Sequence, residues 1–257
     1  MTFDSLGLPN ALVKALSKEG YTKPYPIQSQ AIPAILDEKD VLGIAKTGSG
    51  KTASYVLPIL ANLQNKPEPK NRHIQALVLV PTRELAVQVF ETFKLFSSAL
   101  RSPIKSLVVF GGASINPQMI QMQGVRILIA TPGRLIELKE SNAMNLNEVD
   151  VFVLDEADKM MDMGFLPQLN SILEIIPNKR QNLLFSATFH PKVEELTEEF
   201  LDFPVKIEVN VDMMVIDLVD QYLYRVPNAK TKLNLLVHLL RIHEDYSRVL
   251  IFARTRE

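Results

Sequence analysis

The sequence lacks cysteine, a long hydrophobic run and an excess of charge of either sign. Without cysteine, a disulfide scaffold, a thiolate zinc site and a cysteine nucleophile are all excluded. No segment reaches the roughly 18–20 consecutive apolar residues that a membrane-spanning helix needs. The first residues include the acidic Asp4 and no basic or long apolar region, so they are not typical of a signal peptide. We therefore expect a cytoplasmic protein.

The charge balance limits the kind of partner. The chain has 28 lysines and arginines and 29 aspartates and glutamates, which gives a formal net charge of −1. A strongly basic, polycation-like nucleic-acid binder is therefore excluded, whereas a local phosphate-binding groove is not. With 47% hydrophobic residues, the 257-residue chain can build a core, and its length suits one large domain or one domain and part of another.

Short apolar runs of strand length alternate with longer amphipathic stretches over most of the chain. Strands that are apolar throughout and separated by helices are typical of a parallel sheet covered on both faces. The pattern therefore predicts an α/β fold with a mostly parallel sheet. The predicted strands are residues 41–45, 76–80, 107–110, 127–130, 151–154, 183–185 and 205–209, and two of the predicted helices are residues 82–100 and 191–200.

The pattern changes after residue 209. Residues 210–220 mix acidic residues with valine and methionine and suit an extended linker. A strand at 221–226, a helix at 229–244 and a strand at 248–252 are then predicted. Three such elements cannot cover both faces of a sheet, so we expect residues 1–209 to be a complete first domain and residues 221–257 to be the start of a second, partial one.

Residues 45–52 read AKTGSGKT and match the small-residue form of the Walker A phosphate-binding loop, here called the P-loop. They follow an apolar strand and precede a helical stretch, which is the context that this motif requires. Gly48 and Gly50 let the backbone curl so that successive N–H groups point at phosphate oxygens. The helix that begins near Lys51 adds the positive end of its dipole. Lys51 is expected to reach the outer phosphates, and the Thr52 hydroxyl to bind Mg²⁺.

Two adjacent carboxylates, Asp155 and Glu156, follow the apolar run 151–154. An acidic pair at a strand end is by itself usually a solvated turn or a helix cap. Downstream of a P-loop in a parallel sheet, it is instead typical of the Walker B motif. Asp155 would then hold the water shell of Mg²⁺, and Glu156 would polarise the attacking water.

These motifs and several others resemble those of the DEAD-box ATP-dependent RNA helicases. Residues 155–158 spell DEAD, and the resemblance covers essentially the whole chain in the family's motif order. The other matching segments are the Q motif at 20–28 with Phe3 as its upstream aromatic, motif Ia at 81–86, the glycine doublet at 111–112, motif Ib at 131–134, motif III at 186–188 and the strand of motif IV at 249–252. The resemblance implies a three-layer, RecA-like P-loop NTPase domain followed by part of a second RecA-like domain.

The resemblance also implies an ATP site. Gln28 would hydrogen-bond the adenine edge and select ATP over GTP, since a carboxamide can both donate to and accept from the base. Tyr21 would stack on the base, and Tyr25 departs from the family, which usually has threonine between the two prolines. The nucleotide-binding residues would be Tyr21, Lys23, Gln28, Ala45, Thr47, Gly48, Ser49, Gly50, Lys51 and Thr52, with Mg²⁺ at Thr52 and, through water, at Asp155. The catalytic residues would be Lys51, Asp155, Glu156, Ser186 and Thr188.

The same resemblance implies an RNA half-groove that contacts the sugar–phosphate backbone and is independent of base sequence. Arg83 and Arg134 would add charge where phosphates lie. A structural role is compatible with this one, because Thr82 and Thr131 can cap helices and Pro132 suits a first helical position. The RNA-binding residues would be Pro81, Thr82, Arg83, Gly111, Gly112, Thr131, Pro132, Gly133 and Arg134.

Ser186 and Thr188 would couple the nucleotide site to closure of two lobes through Asp158. The implied activity is RNA-stimulated ATP hydrolysis coupled to local separation of RNA duplexes, by a monomer whose protein partners the sequence does not identify. Two alternatives stay open: a DNA helicase or other P-loop motor of the same superfamily, and a nucleotide-gated RNA clamp that does not unwind. The family's arginine finger, which contributes about 10³–10⁵-fold to the rate of hydrolysis, lies in later motifs. We therefore expect this chain alone to bind adenine nucleotide but to show little RNA-stimulated ATPase activity.

Overall fold

In the computed structural model, which describes residues 2–69, 71–209, 220, 222–242 and 247–253, the seven apolar runs up to residue 209 form one sheet. All six strand pairings are parallel, and the strand order is β3-β4-β2-β5-β6-β1-β7. The α/β fold with a parallel sheet is therefore confirmed. The strands are β1 (Val41–Ala45), β2 (Ala76–Leu79), β3 (Ser106–Val109), β4 (Ile127–Ala130), β5 (Val151–Asp155), β6 (Gln181–Ser186) and β7 (Val205–Val209).

Helices cover both faces of this sheet. Alternate side chains of each strand enter two separate cores: Ala76 and Val78 of β2 lie in one, and Leu77 and Leu79 lie in the other. The first core is closed by α1 (Asn10–Lys18), α2 (Pro26–Leu36), α3 (Lys51–Gln64) and α4 (Arg83–Ser97). The second is closed by α5 (Ile115–Gln121), α6 (Pro132–Glu140), α7 (Ala157–Asp162), α8 (Leu166–Leu173) and α9 (Pro191–Phe200). The result is the three-layer arrangement that the apolar strands predict.

The predicted strands differ from the observed ones mainly at β6, which begins at Gln181 rather than at residue 183. Gln181 Nε2 donates to the carbonyls of Ile35 and Lys39, and the Asn182 amide N–H donates to Asp40 Oδ1 at 2.8 Å. These polar side chains are buried with hydrogen-bond partners, so a search for apolar runs misses them.

The chain divides into two compact units, Met1–Val211 and Asp212–Glu257. In the second unit, α10 (Ala229–Ile242) lies within the predicted helix, and residues 243 and 244 lie outside the described residues. The two strands predicted on either side of it are wrong for residues 222–226 and 248–252, which form no strand. A strand requires a neighbour that pairs with its N–H and C=O groups, and the described residues supply none there. Of the predicted linker 210–220, only Asp220 is described.

No helix within the described ranges is long and apolar enough to cross a membrane.

Candidate functional site

The predicted motifs lie at the carboxyl ends of the strands, which a parallel sheet brings to one edge. The P-loop joins β1 to α3, the acidic pair joins β5 to α7, and motifs Ia and Ib join β2 to α4 and β4 to α6. A cavity of about 490 Å³ opens at this edge. The predicted nucleotide-site residues in its wall are Tyr21, Lys23, Thr47, Gly48, Gly50, Lys51, Thr52, Asp155 and Glu156. Gln28, Ala45 and Ser49 are not part of the wall.

Gln28 joins the Q motif to the P-loop. Its side chain is fully buried, Oε1 accepts from the Tyr25 N–H at 2.9 Å, and Nε2 donates to the Gly50 carbonyl at 3.2 Å. A Cβ on Gly50 would lie 2.4 Å from Gln28 Nε2, so only glycine permits this approach. Gly48 and Gly50 both have left-handed φ angles, 83° and 89°. The Gln28 carboxamide, which is expected to bind the adenine edge, thus makes hydrogen bonds within the protein.

Lys51 is the lysine of the P-loop, and its side chain lies near the acidic motif. Its side chain is buried, and Nζ donates to the Ala45 carbonyl at 2.5 Å. Burial lowers the pKa of Lys51, and the nearby carboxylates of Asp155, Asp158 and Glu156 oppose that shift. The cation is therefore held where the backbone of the phosphate-binding loop and three acidic side chains meet.

Asp155 is almost completely buried at the end of β5. Its Oδ2 accepts from the Tyr55 hydroxyl at 2.8 Å, and its Oδ1 accepts from the Glu156 N–H at 2.9 Å. Burial raises the pKa of Asp155 to about 6, although the hydrogen bond from Tyr55 and the charge of Lys51 act in the opposite direction. A carboxylate that is costly to ionise in the free protein is well suited to receive a cation.

Glu156 has a strained backbone. Its φ and ψ are 55° and 49°, the left-handed region, which a residue other than glycine rarely adopts. Glu156 Oε2 pairs with Lys159 Nζ at 2.8 Å, and the residue lines the cavity. The strain lies at the residue that the sequence singles out to orient water.

Thr52 and Asp155 together fit a magnesium ion. Both are oxygen donors in the cavity wall, and Mg²⁺ is usually bound through one or two carboxylates together with substrate phosphates and water. Within the described part of the chain, no cluster of three or more histidine or acidic side chains could hold a metal by itself. The donor set therefore suits an ion that is shared with a phosphate ligand.

Motif III contacts the acidic motif. Asp158 Oδ2 accepts from the Thr188 N–H at 3.0 Å and from the Thr188 hydroxyl at 2.9 Å. The Ser186 hydroxyl donates to the Thr188 carbonyl at 2.7 Å. Burial would raise the pKa of Asp158, but hydrogen bonds, chiefly from Thr188 and from the Lys159 N–H, lower it below its usual value. The contact expected between motif III and Asp158 is present.

The predicted RNA residues comprise four exposed residues, three buried residues and the half-buried Thr82 and Thr131. Thr82 Oγ1 accepts from the Leu85 N–H at 3.3 Å and so caps α4, whereas the Thr131 side chain makes no such bond at α6. Arg83 is exposed, and its guanidinium lies 4.6 Å from the centre of the Phe110 ring. The exposed glycines, with open space where a Cβ would lie, are Gly111, Gly112 and Gly133. The buried residues are Pro81, Pro132 and Arg134.

Arg134 differs from the expectation that it offers charge to a phosphate. Its side chain is 5% exposed, Nε donates to Glu137 Oε2 at 2.8 Å, and Nη2 donates to the Ala113 carbonyl at 2.8 Å. The Glu137 carboxylate, one helical turn away, compensates the charge. Arg134 therefore fastens the loop that carries the glycine doublet to α6.

Sequence reasoning missed several residues of the site. Tyr55 bonds Asp155, and Glu19, Ala53 and three side chains of α4 also line the cavity. The spacing along the chain could have revealed Tyr55, because it follows Thr52 by three positions, and side chains three or four positions apart share a helix face. The wall residues of α4 are related to one another by the same spacing. The three wall residues of α4 are Leu85, Gln88 and Thr92.

Comparison with known proteins gives consistent matches. The family model of the DEAD/DEAH box helicases matches residues 25–196. The "DEAD-box ATP-dependent RNA helicase 20" of Arabidopsis thaliana is 42% identical over 258 residues, which cover 100% of this chain and 51% of that protein. The "ATP-dependent RNA helicase CshA" of Limosilactobacillus reuteri is 38% identical over 257 residues, which cover 100% of this chain and 50% of that protein. The chain thus spans about half the length of the curated relatives it matches.

A solved structure agrees with these sequence matches. The crystal structure of a DEAD box protein from the hyperthermophile Methanococcus jannaschii matches with a TM-score of 0.76 and 32% identity, and the match covers 95% of this chain and 64% of that one. The fold and the ordered motifs point the same way as the family model. The chain belongs to the DEAD/DEAH box helicase family.

Proposed function

We propose that the chain is the ATP-binding half of an ATP-dependent RNA helicase. The observation that carries the proposal is that the P-loop, with Lys51, and the acidic residues Asp155 and Glu156 line one cavity. The relatives named ATP-dependent RNA helicases support it. In this proposal residues 1–209 are the N-terminal RecA-like helicase domain, residues 210–220 are the interdomain linker, and residues 221–257 belong to the C-terminal RecA-like domain.

The nucleotide chemistry follows from the cavity wall. The P-loop N–H groups and the N-terminus of α3 bind the phosphates, and Lys51 exchanges its bond to the Ala45 carbonyl for an outer phosphate oxygen. Thr52 and, through water, Asp155 hold Mg²⁺, which when bound neutralises charge on the outer phosphates. Glu156 orients the hydrolytic water, and the Q-motif residues Gln28 and Tyr21 select adenine.

The RNA half-groove is built from exposed glycines and one exposed arginine. Thr82, Gly111, Gly112, Thr131 and Gly133 offer hydroxyls and approachable backbone N–H groups to the sugar–phosphate backbone. Arg83 supplies the charge, and buried Pro81, Pro132 and Arg134 hold the loops in place. A groove of this kind needs few cations, which is compatible with a formal net charge of −1.

Asp158 links the nucleotide site to motif III. The side chain of Thr188 and the backbone of motif III bond Asp158, two residues after Glu156. A shift of the acidic motif on hydrolysis would therefore reach the loop after β6. In this proposal Ser186 and Thr188 couple hydrolysis of the nucleotide to the opening and closure of the two lobes.

The nucleotide part is tested by calorimetric titration of the chain with ADP and GDP in Mg²⁺. We expect ADP to bind and GDP to bind at least tenfold more weakly. Lys51→Ala should abolish binding, while the matched surface variant Lys39→Ala should bind as the unaltered chain does, since Lys39 lies outside the cavity wall. Equal affinity for ADP and GDP would contradict the Q-motif assignment, and no binding of either would contradict the proposal.

The substrate is tested with nucleic acids. We expect RNA to bind the chain more tightly than DNA of the same sequence, and RNA-stimulated ATP hydrolysis to stay low. A strand-displacement assay on the two-lobe protein separates a helicase from a nucleotide-gated clamp, because a clamp retains RNA in the presence of ATP without displacing a strand. Preference for DNA would favour the alternative of a DNA motor. A monomeric state and a cytoplasmic location stay predictions.

A further inference from the structure

Tyr55 places a buried hydroxyl against Asp155, one of the two residues proposed to hold magnesium. The side chain is fully buried, and its hydroxyl donates to Asp155 Oδ2 at 2.8 Å. Thr52 and Tyr55 lie three positions apart in α3 and so share a face of the helix. The phenol therefore connects α3, the helix that carries Thr52, to the carboxylate at the end of β5.

The phenol is itself held rigidly. Its ring packs against Phe185 of β6, with 5.2 Å between the ring centres, and against Phe93 of α4, with 6.4 Å between the ring centres. Close packing on both sides leaves a large side chain a single orientation. The hydroxyl position is thus set by the core and not by the cavity.

The carboxylate is also held at its other oxygen. Asp155 Oδ1 accepts from the Glu156 N–H at 2.9 Å, so both oxygens have a fixed donor. If the Tyr55 hydroxyl were missing, Oδ2 would lose its partner while remaining buried, and the carboxylate could rotate. The hydroxyl therefore determines which way the buried carboxylate faces.

We propose that Tyr55 is a positioning residue for magnesium, which holds Asp155 in the orientation that receives the ion together with nucleotide phosphates. This rests on the nucleotide site of the proposed function. Hydrogen-bonding partners that orient metal ligands typically contribute roughly 10–100-fold to metal affinity. Tyr55 is fully buried and is not part of the cavity wall, so its proposed effect is exerted through the metal ligand and not through the nucleotide.

The experiment compares the unaltered chain with Tyr55→Phe, which keeps the ring and removes only the hydroxyl. ADP affinity is measured by fluorescence in EDTA and then as a function of Mg²⁺ concentration. We expect the Mg²⁺ concentration that gives half of the full affinity gain to rise about tenfold, the lower end of the range for such partners. ADP affinity in EDTA should stay unchanged.

Ser97→Ala is the matched control. The Ser97 hydroxyl is buried, donates to the Ile104 carbonyl at 2.9 Å and accepts from the Ile104 N–H at 2.7 Å, at the carboxyl end of α4 and away from the wall residues of that helix. This variant should lower the melting temperature and leave the Mg²⁺ midpoint unchanged. If Tyr55→Phe behaves in the same way, Tyr55 is only a core residue and the inference is overturned.

A second measurement covers the case in which Tyr55→Phe does not fold. The chain has six tyrosines, so uniform 3-fluorotyrosine labelling gives a resolvable set of fluorine signals, assigned by phenylalanine substitution at the other five. The Tyr55 signal should move when Mg²⁺ is added to the ADP complex, and a signal that stays in place overturns the inference. Failure of the unaltered chain to bind ADP at all would instead contradict the proposed function.

Discussion

At the scale of single residues, the contact between Gly50 and Gln28 fastens two sequence-distant motifs to each other. Gln28 lies in the first turn of α2, and its amide nitrogen donates to the carbonyl of Gly50, immediately before α3. Gly48, two positions earlier, has nearly the same left-handed φ but open space around it. A substitution at Gly48 therefore tests backbone strain alone, whereas a substitution at Gly50 tests backbone strain together with a steric clash.

Replacing each glycine with alanine tests this difference. Gly48→Ala should cost about 1–2 kcal/mol of unfolding free energy, because alanine is strained at positive φ. Gly50→Ala should cost about 1 kcal/mol more, because its Cβ displaces the Gln28 amide and breaks a buried hydrogen bond. Urea denaturation without nucleotide measures both. Equal losses would mean that the Gln28 contact contributes nothing to stability.

Asp155 predicts a pH dependence in the absence of metal. Its pKa is raised to about 6 by burial, so the folded protein binds more protons than the unfolded chain between roughly pH 4 and 6. The stabilising contribution of this carboxyl is complete below pH 4 and is lost as the pH rises through 6. The unfolding free energy of the unaltered chain in EDTA, minus that of Asp155→Asn, should fall by about 2–3 kcal/mol from pH 4 to pH 7.

The control for that profile is Asp37→Asn, at a carboxylate whose side chain is 67% exposed. The difference between the unaltered chain and this variant should be nearly flat over the same pH range. A difference that is also flat for Asp155→Asn would contradict the raised pKa.

At the scale of helices and strands, Asp40 joins three elements at the amino edge of the sheet. Its carboxylate accepts from the Asn182 N–H at 2.8 Å, from Asn182 Nδ2 at 3.2 Å and from the Asp202 N–H at 2.9 Å. Asp40 immediately precedes β1, Asn182 lies in β6, and Asp202 lies in the turn before β7. One buried carboxylate thus aligns three neighbouring strands.

Asp40→Asn should lower the unfolding free energy by about 1–3 kcal/mol, since an amide replaces one acceptor oxygen with a donor that faces donors. Asp37→Asn, three positions earlier and exposed, should change it by less than about 0.5 kcal/mol. Thermal and urea denaturation of both variants measure the difference. Equal stability of the two variants would show that the strand alignment does not depend on Asp40.

Phe110 connects the end of β3 to the start of α4 through Arg83. The guanidinium over its ring is a cation–π contact, worth about 0.5–1 kcal/mol at an exposed position. Because this contact fixes the orientation of the arginine, Phe110→Leu should raise the Kd for single-stranded RNA about two- to fivefold. Phe203→Leu, at a ring that is 96% exposed, is the control and should leave RNA affinity unchanged. Unchanged affinity in Phe110→Leu would show that the contact between Arg83 and Phe110 does not contribute to RNA binding.

How far the sequence predicts the molecule depends on which physical signal a residue carries. The strands of the first unit are predictable because burial on both faces demands continuous apolar runs. The first residues of β6 are not, because Gln181 and Asn182 are buried through hydrogen bonds. The residue types of the site are predictable from their spacing. The direction of Arg134 is not, because it depends on Glu137 and the Ala113 carbonyl.

At the scale of the whole molecule, the chain consists of two units that differ in how they are stabilised. The first contains the seven-stranded sheet and both cores. In the second, the described part of α10 buries none of its side chains, and the flanking described residues form no strand. Apolar runs predict strands only where other strands can pair with them, which explains the wrong prediction for 248–252.

A fragment of residues 1–211 should therefore fold by itself. We expect a single cooperative thermal transition at the same midpoint as that of the longer chain, and the same ADP affinity, because the complete sheet and the cavity lie within this unit. Calorimetry and ADP titration of both proteins make the comparison. A clearly lower midpoint for the fragment would show that residues 212–257 stabilise the first unit.

The strand order has a consequence for how the protein can be altered. The phosphate strand β1 and the groove strands β2, β3 and β4 lie on opposite sides of β5 and β6. Helix α4 reaches both sides, with Arg83 at its start and Leu85, Gln88 and Thr92 in the cavity wall. Loops after β3 and β4 can therefore be exchanged for those of another protein without changing the wall of the nucleotide cavity, because none of their residues lies in it. The nucleotide site and the predicted RNA groove thus occupy different parts of the width of the sheet.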